Sequence, residues 1–141
     1  MERPRVPDSS SIRFRARTTT RWSDEDNQGV LNNAVYMTLF EEARLAYFRD
    51  LLATNQFPFL LAQTNVVFLL PGKGGVEVEL ECATTHFGGT SFVQAYRLRE
   101  LASGNVWAEA EARLVCYDPR TMQKVSIPAV LKAIVERRER G

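Results

Sequence analysis

Residues 12–22, IRFRARTTTRW, alternate the apolar Ile12, Phe14 and Ala16 with Arg13, Arg15 and Arg17, the two-residue period of a strand with one buried face. The threonines at 18–20 favour extension as well. Residues 23–33, SDEDNQGVLNN, are dense in turn and cap formers and predict a loop that ends at a helix start. From 34 to 52 the period becomes helical: Tyr36, Leu39, Phe40, Ala43, Tyr47 and Leu51 recur on one side, and Met37, Leu45 and Phe48 widen the stripe. So wide a stripe predicts a helix largely enclosed by the rest of the domain. After a break at 54–58 the pattern predicts four extended segments, 59–70, 75–87, 90–101 and 106–117.

In VEVELEC, Val76, Val78, Leu80 and Cys82 alternate with Glu77, Glu79 and Glu81, which predicts three carboxylates on one solvated face. In AEAEARL, Ala108, Ala110 and Ala112 alternate with Glu109, Glu111 and Arg113, and small inward side chains let a helix lie close to the sheet. Short turns at 71–74, 88–89 and 103–105 predict antiparallel consecutive strands, with Gly72, Gly74 and Gly75 in a hairpin turn. Residues 118–123 turn the chain again, and 128–140 predict a short basic helix. One strand, one long helix and four further strands make an α+β domain in which a sheet wraps a single helix. The expected organisation is a flexible segment over 1–11 and one domain over 12–141. Open strand edges predict a homodimer that continues the sheet, or a larger homo-oligomer such as a homotetramer.

Composition narrows the classes. At 141 residues, 45% hydrophobic and 25% charged, the chain has the balance of one globular domain. A net charge of +1 leaves no broad footprint for a nucleic-acid backbone. Cys82 and Cys116 lack CxxC spacing and sit in apolar runs, which predicts buried free thiols and a reducing, cytoplasmic setting. No apolar stretch follows Met1, so no secretory signal is expected. The uncharged run 51–72 carries Asn55, Gln56, Gln63, Thr64 and Asn65, too polar for a membrane span.

With His86 as the only histidine, a multi-histidine zinc site is excluded, and no GxSxG elbow accompanies it; no metal is expected. His86 remains a secondary candidate at a strand end. Glycines 72, 74 and 75 match neither a Walker loop nor GxGxxG. Glu77, Glu79, Glu81, Glu109 and Glu111 read as a wet sheet face rather than acid/base pairs. The informative segment is 22–44, WSDEDNQGVLNNAVYMTLFEEAR, which sets acidic side chains and Gly29 directly before a helix amino end, where unpaired N–H groups and the dipole favour negative charge. Physics alone leaves two readings: a site, or plain capping by Asn32 or Asn33 with Asp24 and Asp26 as turn formers.

That segment resembles the signature of the 4-hydroxybenzoyl-CoA thioesterase family of hotdog-fold proteins, approximately D-x-D-x-x-G-(H/I/V)-V-x-N-x-x-Y followed by F-E-E-A-R. Asp24, Asp26, Gly29, Asn33, Tyr36 and the string 40–44 fall on it in register, and 89–92 resembles the family's G-x-S-S/F stretch. The resemblance implies a hotdog fold, an antiparallel sheet wrapped around one long central helix. It implies hydrolysis of an acyl-CoA or acyl carrier protein thioester without metal or organic cofactor. By resemblance Asp26 is the catalytic carboxylate, as nucleophile through a mixed anhydride or as general base for water, and the backbone N–H of Asn33 is the oxyanion donor. Gly29, Tyr36, Thr90 and Ser91 are implied substrate contacts, the last two from the neighbouring subunit; packing and ordinary strand positions are the competing readings for Tyr36 and for Thr90 and Ser91. Glu41 or Glu42 with Arg44 or Arg49 suits intrahelical pairing. Val30 stands where many members carry His, and Leu31 replaces the usual Val. A dehydratase on the same fold normally uses a histidine near the helix, which Val30 and the lone His86 oppose. A non-catalytic acyl-thioester binding module is the other alternative, opposed by the intact Asp26.

Overall fold

The computed structural model describes residues 1–53 and 57–141. The alternation at the start of the chain forms β1 (Phe14–Thr19), and a 3-10 turn (Trp22–Asp24) and a loop lead into α1 (Asn33–Leu52). Then follow β2 (Phe59–Phe68), β3 (Glu77–Phe87), β4 (Ser91–Glu100) and β5 (Val106–Asp118), a two-residue β6 (Gln123–Lys124) at the end of the expected turn, and α2 (Ala129–Arg140). The strands pair antiparallel in the order β1-β3-β4-β5-β2, with β6 on β5. This is the hotdog arrangement, a curled antiparallel sheet around a helix about 30 Å long. The break expected at 54–58 falls largely on 54–56, outside the described residues.

The helix sits where its stripe requires. Tyr36, Leu39, Phe40, Ala43, Tyr47 and Phe48 are buried, while Leu51 is only half-buried, so Phe48 takes the deeper place at the helix's far end. Ala108, Ala110 and Ala112 are buried beneath it, and the absence of bulk there lets Phe40 stack on Tyr96 at 5.4 Å between ring centroids. Phe48 meets Phe92 edge-on at 5.6 Å. Cys82 and Cys116 are buried free thiols.

Two expectations require correction. The glycines at 72–75 do not form a hairpin turn, because β2 pairs with β5 and not with β3. The segment instead passes beneath the start of α1: Gly72 O accepts from Leu31 N at 2.9 Å, and Gly72 N donates to the Tyr36 hydroxyl at 3.1 Å. A Cβ on Gly72 would lie 2.7 Å from Trp107 Cε3, so this glycine serves close approach. The second correction concerns Glu81, which points to the outer face as expected but is 1% exposed. Arg97 pairs with it at 3.0 Å and Arg15 at 3.5 Å, and the Ser9 hydroxyl donates to it at 2.7 Å. Two residues ahead of β1 reach this face: Ser9 covers Glu81, and Arg5 N donates to Glu111 Oε1 at 2.7 Å. Alternation along a strand gives the direction of a side chain, not what is laid over it.

Candidate active site

The loop before α1 closes as a miniature ladder. Asn32 N donates to Asp24 O at 2.9 Å, Glu25 bridges Leu31, and Asp26 N donates to Val30 O at 2.8 Å. The tip is completed by Gly29, whose N–H bonds Asp26 O at 3.1 Å and whose φ of 73° is one a side chain would strain. Lys73 Nζ fixes the same glycine from outside, donating to its carbonyl at 2.8 Å. The two aspartates of the D-x-D pattern therefore have different environments. Asp24 is buried and accepts from Arg21 N at 2.8 Å and Arg21 Nη2 at 2.9 Å. Burial opposes its charge, but the Arg21 backbone N–H and guanidinium together hold the carboxyl below the usual carboxylate range.

Asp26 lies two rungs from the base of the ladder, about 7 Å beyond it at the rise of an extended chain. It is exposed, and its Oδ1 accepts from Gln28 N at 2.8 Å. At the base, Asn32 is the N-cap, its side chain accepting from Ala34 N at 2.9 Å. Asn33 is therefore the first helical residue, exposed, and its N–H meets no acceptor among the described residues. Tyr36 is 2% exposed, its hydroxyl taken by Gly72 N and its ring edge-on to Phe68 at 4.9 Å. Burial raises the Tyr36 phenol above its ordinary range. The structure thus brings Asp26, Gly29 and Asn33 to one exposed end of α1 and sets Tyr36 behind them as a post.

Thr90 and Ser91 are elsewhere. Ser91 begins β4 and pairs with Val115, whereas the end of β4 at Glu100 pairs with Val78 near the start of α1. The two ends are about 30 Å apart along the strand. His86 is exposed at that far end, opposite the Asp26 loop.

One feature escaped the sequence reading. Arg44 pairs with Glu41 along its own helix at 3.9 Å, as the spacing suits, and in addition donates from Nη1 to the Tyr96 hydroxyl at 3.0 Å. Tyr96 donates to Gln94 Oε1 at 2.8 Å, Gln94 Nε2 to Thr84 Oγ1 at 3.1 Å, Thr84 Oγ1 to Tyr47 OH at 3.1 Å, and Tyr47 OH to Glu139 Oε1 at 2.7 Å. Every link runs the same way, from a cation to a carboxylate through the core. Burial raises the Tyr47 and Tyr96 phenols, so both stay protonated as the chain of donors requires. Arg44 also lines two adjoining cavities between α1 and β2, about 160 and 330 Å³. No signal short of the three-dimensional pairing of residues 44 and 96 would have revealed it. Among the described residues no group of three or more His, Cys, Asp or Glu is placed to hold a metal ion, and no helix is long and apolar enough to cross a membrane.

The acyl-CoA thioester hydrolase YbgC of Escherichia coli is 27% identical over 126 residues, covering 85% of this chain and 93% of that protein. A Thermus thermophilus thioesterase solved with coenzyme A and zinc superposes with a TM-score of 0.84 at 24% identity, over 93% of this chain and 97% of that one. Slr0204 of Synechocystis, a 1,4-dihydroxy-2-naphthoyl-CoA thioesterase, gives 0.74 at 17% identity, over 86% and 94%. The family model for the thioesterase-like superfamily matches residues 20–135, and the chain belongs to that superfamily.

Proposed function

We propose that the chain is an acyl-CoA thioesterase whose reaction takes place at the amino end of α1. The observation that carries this reading is the ladder 24–32, which sets the exposed Asp26 carboxylate just before a helix whose first N–H, that of Asn33, has no acceptor among the described residues. A thioester carbonyl lying over Asn33 N–H would have its developing negative charge met by that donor and by the helix dipole. Asp26 then acts in one of two ways. It attacks the carbonyl carbon, expelling the thiolate and leaving a mixed anhydride for water to cleave, or it takes a proton from the water that attacks. The register of Asp24, Asp26, Gly29, Asn33 and Tyr36 supports the narrower resemblance to 4-hydroxybenzoyl-CoA thioesterases.

A second copy completes the site. β2 is an edge strand exposing Leu60, Leu61 at 48% and Phe68, the kind of edge that pairs with another chain. Antiparallel pairing of β2 with its symmetry mate sets the Phe59 end of one against the Phe68 end of the other. Because Phe59 pairs beside Cys116, and Thr90 O accepts from Cys116 N, the partner's Thr90 and Ser91 are carried toward this chain's Asp26 end. The 30 Å separation within one chain is then what a two-fold composite site requires. Buried free thiols accord with a cytoplasmic setting.

A thiol-release assay over aliphatic and aromatic acyl-CoAs tests the reading. Asp26→Asn is expected to lose about 10²–10⁴-fold in turnover with the fold intact, whereas Asn33→Ala, which keeps its N–H, retains most of it. Equal turnover by Asp26→Asn and the parent overturns the assignment. Ligand binding without turnover by the parent would instead identify a binding module.

A further inference from the structure

We infer that Arg44 selects the acyl group: the cleft between α1 and β2 receives the acyl part of the substrate, and Arg44 binds a carboxylate where the two parts of the cleft meet. The inference rests on the thioesterase reading above and adds to it a substrate class, acyl thioesters with an acidic tail.

The cleft begins one turn into α1. Met37 and Thr38 line its first part with Phe40, Leu61 and Tyr96, and Leu45, Phe48 and Phe59 line its continuation. Arg44, Glu41 and Leu61 belong to both parts, so the cavities meet at these three side chains. Apart from Arg44 and Glu41 the walls are mainly apolar. Arg44 is 12% exposed in its side chain, and its Nη1 is committed to Tyr96, which cannot turn away because its own proton is given to Gln94. The nearest carboxylate is Glu41 at 3.9 Å, beyond hydrogen-bond reach and itself mostly exposed. A largely desolvated guanidinium held in place at one nitrogen, with no bidentate carboxylate, is poorly compensated, and its planar fork matches a carboxylate.

The position also specifies a length. Arg44 lies eleven residues beyond Asn33, about 16 Å along the axis, and a long helical side chain leans back toward the amino end. The guanidinium therefore stands about 10–15 Å from the oxyanion donor. A carboxylate separated from the thioester by an apolar spacer of that reach fits; a short acyl group leaves Arg44 untouched.

The test compares mono-CoA thioesters of linear dicarboxylic acids with straight-chain acyl-CoAs of equal length, in the parent, Arg44→Met and Arg44→Lys. Thiol release gives kcat/KM, and calorimetry gives binding of the same compounds. For the parent, the acid-to-plain ratio of kcat/KM is expected to rise above about tenfold at one spacer length. Arg44→Met should collapse that ratio, and Arg44→Lys, which keeps the charge without the fork, should fall between. A ratio that Arg44→Met leaves unchanged overturns the inference while Asp26-dependent turnover preserves the thioesterase reading. If the parent hydrolyses nothing yet binds the acid-tailed compounds in an Arg44-dependent way, the thioesterase reading fails and the selectivity stands. If Glu41→Gln and Arg44→Met both dissociate the dimer and neither moves the ratio, Arg44 pairs across the interface and the inference is wrong.

Discussion

Tyr36→Phe separates two roles for one residue. The hydroxyl of Tyr36 accepts the Gly72 N–H at 3.1 Å in a buried setting, and Gly72 in turn accepts from Leu31 N. Removing the oxygen leaves that N–H without a partner, and a buried unsatisfied donor costs about 1–3 kcal/mol. The ring stays, so the contact with Phe68 and the packing are retained. Unfolding entropy for a chain of this size is about 0.3 kcal/mol/K, so the melting temperature should fall by about 3–10 °C at fixed protein concentration. Thermal unfolding followed by circular dichroism reads the first number, and thiol release at a temperature well below the transition reads KM. A post that holds the crossing segment predicts the loss of stability with KM within about twofold of the parent. Unchanged stability together with a raised KM would mean that the hydroxyl faces substrate, and the packing argument would be refuted.

Acid should expose the role of Asp24. Its carboxyl is held below the usual range in the fold, so the stabilisation is present above the ordinary carboxylate value and disappears as pH falls through the lowered one; urea midpoints taken from about pH 7 down to about pH 3 should show a steeper acid limb for the parent than for Asp24→Asn, and parallel limbs would remove Asp24 from the account. Cys82 is fully enclosed and burial pushes its thiol well above the ordinary range, so maleimide should modify it only after unfolding, and rapid labelling of the native protein would contradict its placement. Leu61→Lys on the open β2 edge should shift the protein toward monomer in sedimentation and lower turnover in parallel; a fully active monomer would refute the composite site.

The helix and the small inward face of β5 were legible because each is a local pattern. The stripe from Tyr36 to Phe48 defines α1 to within a residue of its start, and Ala108, Ala110 and Ala112 announce the helix above them. The placement of the loop before the helix was visible for the same reason, since residues 26, 29 and 33 are neighbours along the chain. What depended on distant partners was not. Gly72 looks like a turn glycine in sequence, because a need for close approach to Trp107, thirty-five positions away, leaves no local mark. Glu81 alternates like its neighbours, and only Ser9 and Arg97 make it a buried charge. Arg44 has Glu41 three residues away on its own helix, but Tyr96, from a different strand, takes its hydrogen bond.

The central claim is that the thioester carbonyl lies between Asp26 and the first amide of α1. A crystal structure of Asp26→Asn with an intact acyl-CoA tests it most directly. The account predicts the carbonyl oxygen about 2.7–3.1 Å from Asn33 N, the amide of residue 26 beside the carbonyl carbon, and Ser91 of the second copy at the rim. A thioester bound at the opposite end of the helix, near His86, or with its carbonyl turned away from the Asn33 amide, would contradict it.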